Sequence, residues 1–297
     1  MAIYFQSLRS SSAGNCLALW TATSSILIDC GVKVQRECRQ MLEGHQRRAG
    51  TIDAVVVSHA HGDHMAYGSL RVLGREGIRI LGDARVIRQL RQWHEPHEWD
   101  EPPWMQAFPT SPGSRIHRSR DRRSHDGLSE DRRPRQGTLF GGTAFDVGDF
   151  RVIPIEVPHA PDVPNFGFRI TARDRGTKRT LIVCTDLHDY AGILPHFVNA
   201  DFIFVEANHD LDLLRQHPNY ASRYHLNNVK TASLLHHAIG RSAAPPHAVM
   251  LGHLSEERNR RALAINEVTR MFAQQGTKMR FHLDAAPARK EGEVVEV

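Results

Sequence analysis

The stretch DAVVVSHAHGDHM, residues 53–65, decides how the chain is read. An alanine and three valines run without polar alternation into three histidines and an aspartate, packed between positions 59 and 64. Such an apolar run predicts a strand buried on both faces. Its end is then a cluster of side chains that each need water, a partner or a metal ion. On an extended strand His59 and His61 project to the same side. Gly62 permits a sharp turn that brings Asp63 and His64 toward a second point. Two adjacent metal positions suit four such side chains on so short a segment better than one. The plain alternative is a hydrogen-bonded histidine cluster at a helix start, with Asp63 as N-cap.

Further donors follow other apolar runs. VIPIEVPHAPD places His159 just after a strand, TLIVCTDL does the same for Asp186, and AVMLGHLSEE for His253. Each alone reads more readily as a helix cap or a surface imidazole, but with the first cluster they complete a donor set for two ions. Imidazoles and carboxylates without a thiolate suit Zn²⁺, Mn²⁺ or Fe.

Composition sets the frame. The chain has 297 residues, enough for one large α/β domain or two modest ones, and nineteen are histidines, more than packing requires. The net charge of +5 favours acidic partners such as phosphates or nucleic acid. MAIYFQSLRSSSAGN lacks the basic and apolar regions of a signal peptide, and no apolar run is long enough to span a membrane. The four cysteines form no CxxC pair, and a reduced, cytoplasmic setting is expected.

Strands are expected at IYFQSL, NCLALW, SILIDC and AVVVS, then from FDVGDFRVIPIEVPH through FGFRIT, TLIVCTD, DFIFVEAN and HAVMLGH. Helices are expected at 33–44, 84–93, 228–239 and 256–275. The pattern predicts an α/β chain with two packed sheets and helices outside. Residues 94–142 differ. They are poor in apolar side chains, and 113–137 holds eight arginines against four acids, so 94–142 is expected to be a long mobile loop. It reads either as a solvated linker or as an arm for backbone phosphates.

HAHGDH, His159, Asp186 and His253 resemble the metallo-β-lactamase superfamily in type, order and approximate spacing, and ILIDCG with Asp29 looks like its first motif. The resemblance implies a single αββα sandwich over residues 1–297, interrupted by the arginine-rich insertion. It implies His59, His61 and His159 on one metal, Asp63, His64 and His253 on the other, Asp186 bridging, and Asp29 behind them. The 66 residues between Asp186 and His253 leave no room for the large inserted domain of the β-CASP nucleases. LRSSSAGNC, VEANHDLDLL, YHLNN and LGHLSEERN are similar to segments of the YycJ (WalJ) group of 5′→3′ DNA exonucleases, near the PhnP-like cyclic phosphodiesterases. The third motif, PHAPDVPNFGF, departs from that group in lacking an HD pair.

The donor set and the resemblance together imply a dinuclear phosphodiesterase acting on nucleic acid, DNA in preference to RNA. A small-molecule cyclic phosphodiesterase or thioesterase is the enzymatic alternative, and a metal-binding scaffold the non-catalytic one. Asp63 and Asp186 would hold the attacking hydroxide between two ions about 3.5–4 Å apart. His225 in YHLNN, or else His209 in EANHD, would protonate the leaving alkoxide, unless each is a structural histidine capping the helix that follows. Glu206 would buttress a ligand histidine, unless it is a surface carboxylate. Ser11, Ser12 and Asn15 in SSSAGN would hold a phosphate, unless the segment is a plain hairpin turn. A homodimer is an open alternative to a monomer.

Overall fold

In a computed structural model of the chain, residues 2–94, 105–108, 143–174 and 177–297 are described. The first part supplies β1 (Tyr4–Ser11), β2 (Gly14–Trp20), β3 (Ser25–Ile28), α1 (Gln35–Ala49), β4 (Ala54–Val56), α2 (Tyr67–Arg75), β5 (Ile80–Gly82), α3 (Ala84–His94) and β6 (Met105–Ala107). The second supplies β7 (Phe145–Val147), β8 (Phe150–Glu156), β9 (Phe166–Asp174), β10 (Thr177–Cys184), α4 (Leu194–Phe197), β11 (Phe202–Glu206) and α5 (Leu211–Gln216). It continues through α6 (Asn228–Gly240), β12 (Ala248–Gly252), α7 (Arg261–Gln274), β13 (His282–Ala285) and β14 (Val295–Glu296).

These strands form two mixed seven-stranded sheets, ordered β14-β1-β2-β3-β4-β5-β6 and β13-β12-β11-β10-β9-β8-β7. Both are antiparallel on one side and parallel on the other, β3 to β6 in the first and β10 to β13 in the second. The sheets face each other through aromatic packing: the Phe5 ring lies 4.5 Å from Phe202 and 5.5 Å from Phe204.

The uninterrupted apolar runs follow from this layering. Along β11, Phe202 and Phe204 enter the core between the sheets, whereas Ile203 and Val205 join the core beneath α4, α6 and α7. Strand β10 divides in the same way, Leu181 and Val183 inward and Ile182 and Cys184 outward. A strand covered on both faces has no position for a polar residue until it ends, so the polar groups gather at the ends.

The expected αββα sandwich is the observed one, with differences in detail. Residues 94–142 are not all loop. His94 closes α3, and Met105–Ala107 form β6, paired parallel with β5, while the Phe108 N–H donates to the Gly82 carbonyl at 2.7 Å. Phe108 also stacks on Phe145 at 4.6 Å. Backbone pairing at a sheet edge recruits so short a segment without any apolar alternation. The remainder of that stretch, including the arginines of 113–137, lies outside the described residues. Helix α7 starts at Arg261 rather than 256, because Ser255 and Asn259 are buried in a hydrogen-bonded turn before it. No helix among the described residues is long and apolar enough to cross a membrane.

His45 on α1 is buried, its Nε2 2.8 Å from Ser25 Oγ and its ring edge-on to Trp20 at 5.3 Å. Burial, with help from the charge of Arg48, pushes its pKa down to about 4. The unfolded chain therefore takes up this proton first, near pH 6.5, and stability falls as pH drops from there toward 4. Urea unfolding at pH 7 and pH 5 should show the unsubstituted protein losing ~2 kcal/mol more than His45→Gln. Equal losses would contradict this assignment.

Candidate metal centre

Most of the centre follows the C-terminal ends of strands: Asp29 after β3, His59 after β4, His159 after β8, Asp186 after β10 and His253 after β12. Glu206 is the last residue of β11. Ends of parallel strands in packed α/β sheets are open to ligands because the chain turns away there. Asp29, Asp186 and His253 turn with positive φ, at 60°, 59° and 51°. This conformation is uncommon outside glycine and is tolerated best by Asp, Asn and His. The loop of His61–His64 is clamped from behind. A Cβ on Gly31 would lie 1.8 Å from the Asp63 carbonyl oxygen, while the Asn15 N–H donates to that same oxygen at 2.8 Å. Only glycine fits at position 31.

Outer hydrogen bonds fix which ring nitrogen of each histidine faces inward. Asp29 accepts from the Ser58 N–H at 2.7 Å and the Ser58 hydroxyl at 2.8 Å, and its Oδ2 lies 2.7 Å from His64 Nδ1. With its hydrogen committed to Asp29, Ser58 Oγ accepts from His59 Nδ1 at 3.0 Å. In the second sheet, Glu206 Oε2 lies 3.0 Å from both His225 Nδ1 and His253 Nδ1. His159 Nδ1 faces the Tyr224 carbonyl at 3.2 Å. A proton on Nδ1 of His59, His64, His159 and His253 leaves Nε2 of each as a lone-pair donor. Hydrogen bonds of this kind orient metal-bound imidazoles.

The inward atoms converge. His61 Nδ1 lies 2.9 Å from His59 Nε2 and 3.4 Å from His159 Nε2. Asp63 Oδ2 lies 3.4 Å from His253 Nε2 and 3.6 Å from His64 Nε2. Asp186 reaches both groups, its Oδ2 2.9 Å from His64 Nε2 and its Oδ1 3.7 Å from His253 Nε2 and 4.0 Å from His159 Nε2. Its Oδ2 is buried without a hydrogen-bond partner. Lone pairs pointed at one another, with an orphaned carboxylate oxygen between them, fit divalent cations. The donor set His59, His61, His159 and the set Asp63, His64, His253 each fall within one ion's reach.

Charge follows the same division. Burial keeps His59 neutral and lowers His159 to about 4. Burial also opposes charging His253, but Asp186, Asp63 and Glu206 override it and raise its pKa to about 10, so an ion must displace a proton to bind its Nε2. Glu206 is fully buried, which disfavours its ionised form, yet His225 and His253 hold it down at about 2.

Glu206 is no surface carboxylate. It also accepts the backbone N–H groups of Asp186 at 3.1 Å, Leu187 at 3.0 Å and Leu226 at 2.8 Å. With both oxygens so engaged, it buttresses His225 and His253. His225 Nδ1 also lies 3.5 Å from Asp186 Oδ1, with its side chain 16% exposed at the lip of the centre. His209 belongs to none of the converging donor sets and is buried with its Nδ1 3.4 Å from Asn208 Oδ1. In the SSSAGN hairpin, Asn15 is buried and its amide donates to the Ser11 carbonyl at 3.0 Å and the Asp63 carbonyl at 3.3 Å. Ser11 is buried and Ser12 exposed. Sequence reasoning misses Ser58, Gly31 and Ser10, whose Oγ accepts the His253 N–H at 2.7 Å. Ser58 is detectable as the last residue of the expected strand AVVVS, just before the first histidine. The Tyr224 carbonyl carries no sequence signal.

Glu206→Gln replaces a charged acceptor by an amide, so the two Nδ1–H groups lose their strongest partner. Affinity for Zn²⁺, read by competition with a chelating dye, should fall roughly 10- to 100-fold with the circular dichroism spectrum retained. Unchanged affinity would contradict the buttressing role.

A profile of a β-lactamase superfamily domain matches residues 24–248. The exodeoxyribonuclease WalJ of Streptococcus pneumoniae is 24% identical over 278 residues, covering 90% of this chain and 87% of WalJ. Among solved structures, the metallo-β-lactamase fold protein YhfI from Bacillus subtilis superposes with a TM-score of 0.66 at 18% identity, covering 99% of both chains. Unliganded yeast PDE1 superposes at 0.62 with 13% identity and 100% coverage of both chains. The short form of human tRNase Z gives 0.57 with 16% identity and 98% coverage of both. These likenesses establish the sandwich, and the profile covers most of the chain: the protein belongs to the β-lactamase superfamily of metallo-β-lactamase-fold hydrolases.

Proposed function

We propose that the protein is a dinuclear metal-dependent phosphodiesterase that degrades DNA from a 5′ end. The observation that carries this reading is the convergence of thiolate-free donors into two sets with Asp186 between them. The exodeoxyribonuclease activity in the name of a relative that aligns along nine-tenths of the chain supports DNA as the polymer.

His59, His61 and His159 would hold one ion and Asp63, His64 and His253 the other, with Asp186 facing both. Zn²⁺ and Mn²⁺ suit these donors, and Fe is compatible. When bound, such a pair activates water and neutralises charge on the phosphoryl oxygens. Asp29 and Glu206, one behind each sheet's histidines, keep the Nε2 atoms aimed. His225 is the proton donor to the leaving alkoxide. It is partly exposed at the lip of the centre, and Glu206 raises its pKa against the opposing effect of burial. His209 has no such opening and is assigned a structural role. Of the hairpin residues, only Ser12 is left free to meet a phosphate. Four buried free cysteines fit a reducing, cytoplasmic setting.

The test incubates the Mn²⁺- or Zn²⁺-supplied protein with 5′- and 3′-labelled single- and double-stranded DNA, RNA and bis-p-nitrophenyl phosphate. Asp186→Ala and His59→Ala proteins run alongside to exclude a contaminating nuclease. Stepwise loss of DNA from the 5′ end, absent in both variants, is the expected result. Turnover of the small diester alone would overturn the nuclease reading in favour of a small-molecule phosphodiesterase.

A further inference from the structure

Beside the metal centre lies a surface that its ligands do not use. Residues Tyr220–Tyr224 form a single 3₁₀ turn just before His225. The guanidinium of Arg223 lies 3.5 Å from the centroid of the Tyr220 ring and 4.5 Å from that of Tyr224, and it also hydrogen-bonds the Tyr224 hydroxyl. The two rings stand perpendicular, 6.4 Å apart. The turn is held from below. Asn219 Oδ1 accepts the Ala221 N–H at 2.9 Å, the Ser222 N–H donates to the Asn219 carbonyl at 3.1 Å, and Ser222 is buried. A cation fixed between two aromatic rings on a capped turn is a preorganised platform.

Its placement ties it to the chemistry. The Tyr224 carbonyl faces His159 Nδ1, and the Tyr224 ring centroid lies 6.3 Å from that of His159. Tyr220 is 72% exposed, more than any other large apolar side chain among the described residues. Tyr220 stands one ring removed from Tyr224, and keeping it in water, already stiffened by an arginine, has no packing rationale. An aromatic face next to a guanidinium matches the two parts of a nucleotide, a base to stack and a phosphate to neutralise.

We propose that Tyr220, Arg223 and Tyr224 form a nucleotide-binding subsite that stacks a base near the scissile phosphate. This rests on the nucleic-acid reading of the centre and adds the element that engages the strand. Stacking recognises any base, so the subsite lends affinity and register without sequence preference.

The test couples the protein to one base. Cleavage of single-stranded DNA is compared with that of strands carrying one abasic site, moved across the five nucleotides nearest the attacked end. In the unsubstituted protein, one abasic position should lower kcat/KM by roughly 5- to 150-fold, the range of base–aromatic stacking. In Tyr220→Ala that penalty should shrink to about twofold or less, while Tyr220→Phe should keep it, since the ring stacks without its hydroxyl. Damage to the metal centre would lower all rates together and leave the abasic penalty unchanged, so an equal penalty in all three proteins overturns the subsite. If the unsubstituted protein cleaves only bis-p-nitrophenyl phosphate, the nucleic-acid reading fails and the subsite with it.

Discussion

The carboxylate of Glu206 is fully buried and accepts five hydrogen bonds, from three backbone N–H groups and two imidazoles. Through them one side chain ties the ends of β10, β11 and β12 to the segment that carries His225. A buried, singly charged carboxylate survives only when its acceptor sites are filled by donors, and here filling them is what positions the inward-facing histidines. Asp29 plays the equivalent part in the first sheet through Ser58 and His64. Each sheet thus ends in a carboxylate node, and the inward nitrogens meet in the gap between the two.

The sandwich also makes the local strain of this arrangement tolerable. Three residues of the centre hold positive φ, and Gly31 accepts a backbone contact that no other residue could. Such conformations persist only when the surroundings over-determine them. The surroundings are two sheets whose strands are covered on both faces, so their ends are fixed relative to one another across the Phe5–Phe202–Phe204 contact.

Legibility in the sequence obeys the same logic. Buried strands announce themselves as unbroken apolar runs, so a polar residue at the end of one is conspicuous, and His59, Asp186 and His253 stand out in that way. Glu206 sits at the end of such a run too, but nothing in VEANHD tells a buried acceptor from a solvated carboxylate. That distinction depends on donors from β10, β12 and the 3₁₀ turn, as far as 47 positions away. Asn15 reads as a hairpin residue because its tie to Asp63 spans 48 positions. β6 is invisible in the sequence because an edge strand of three residues needs only a neighbour's backbone. The Tyr220–Arg223–Tyr224 platform is equally hidden, since a chain with 7% aromatic residues shows no aromatic pattern until a turn folds two of them around one arginine.

Anomalous diffraction from crystals grown with Zn²⁺ tests the central claim most directly. Two peaks are expected, one among His59, His61 and His159 and the other among Asp63, His64 and His253. Asp186 should touch both, and Glu206 should stand behind His253 without touching either. Asp186, Glu206, His225 and His253 also lie close enough to hold one ion. A single peak there, coordinated by Glu206, would contradict the division into buttress and ligands on which the mechanism is built.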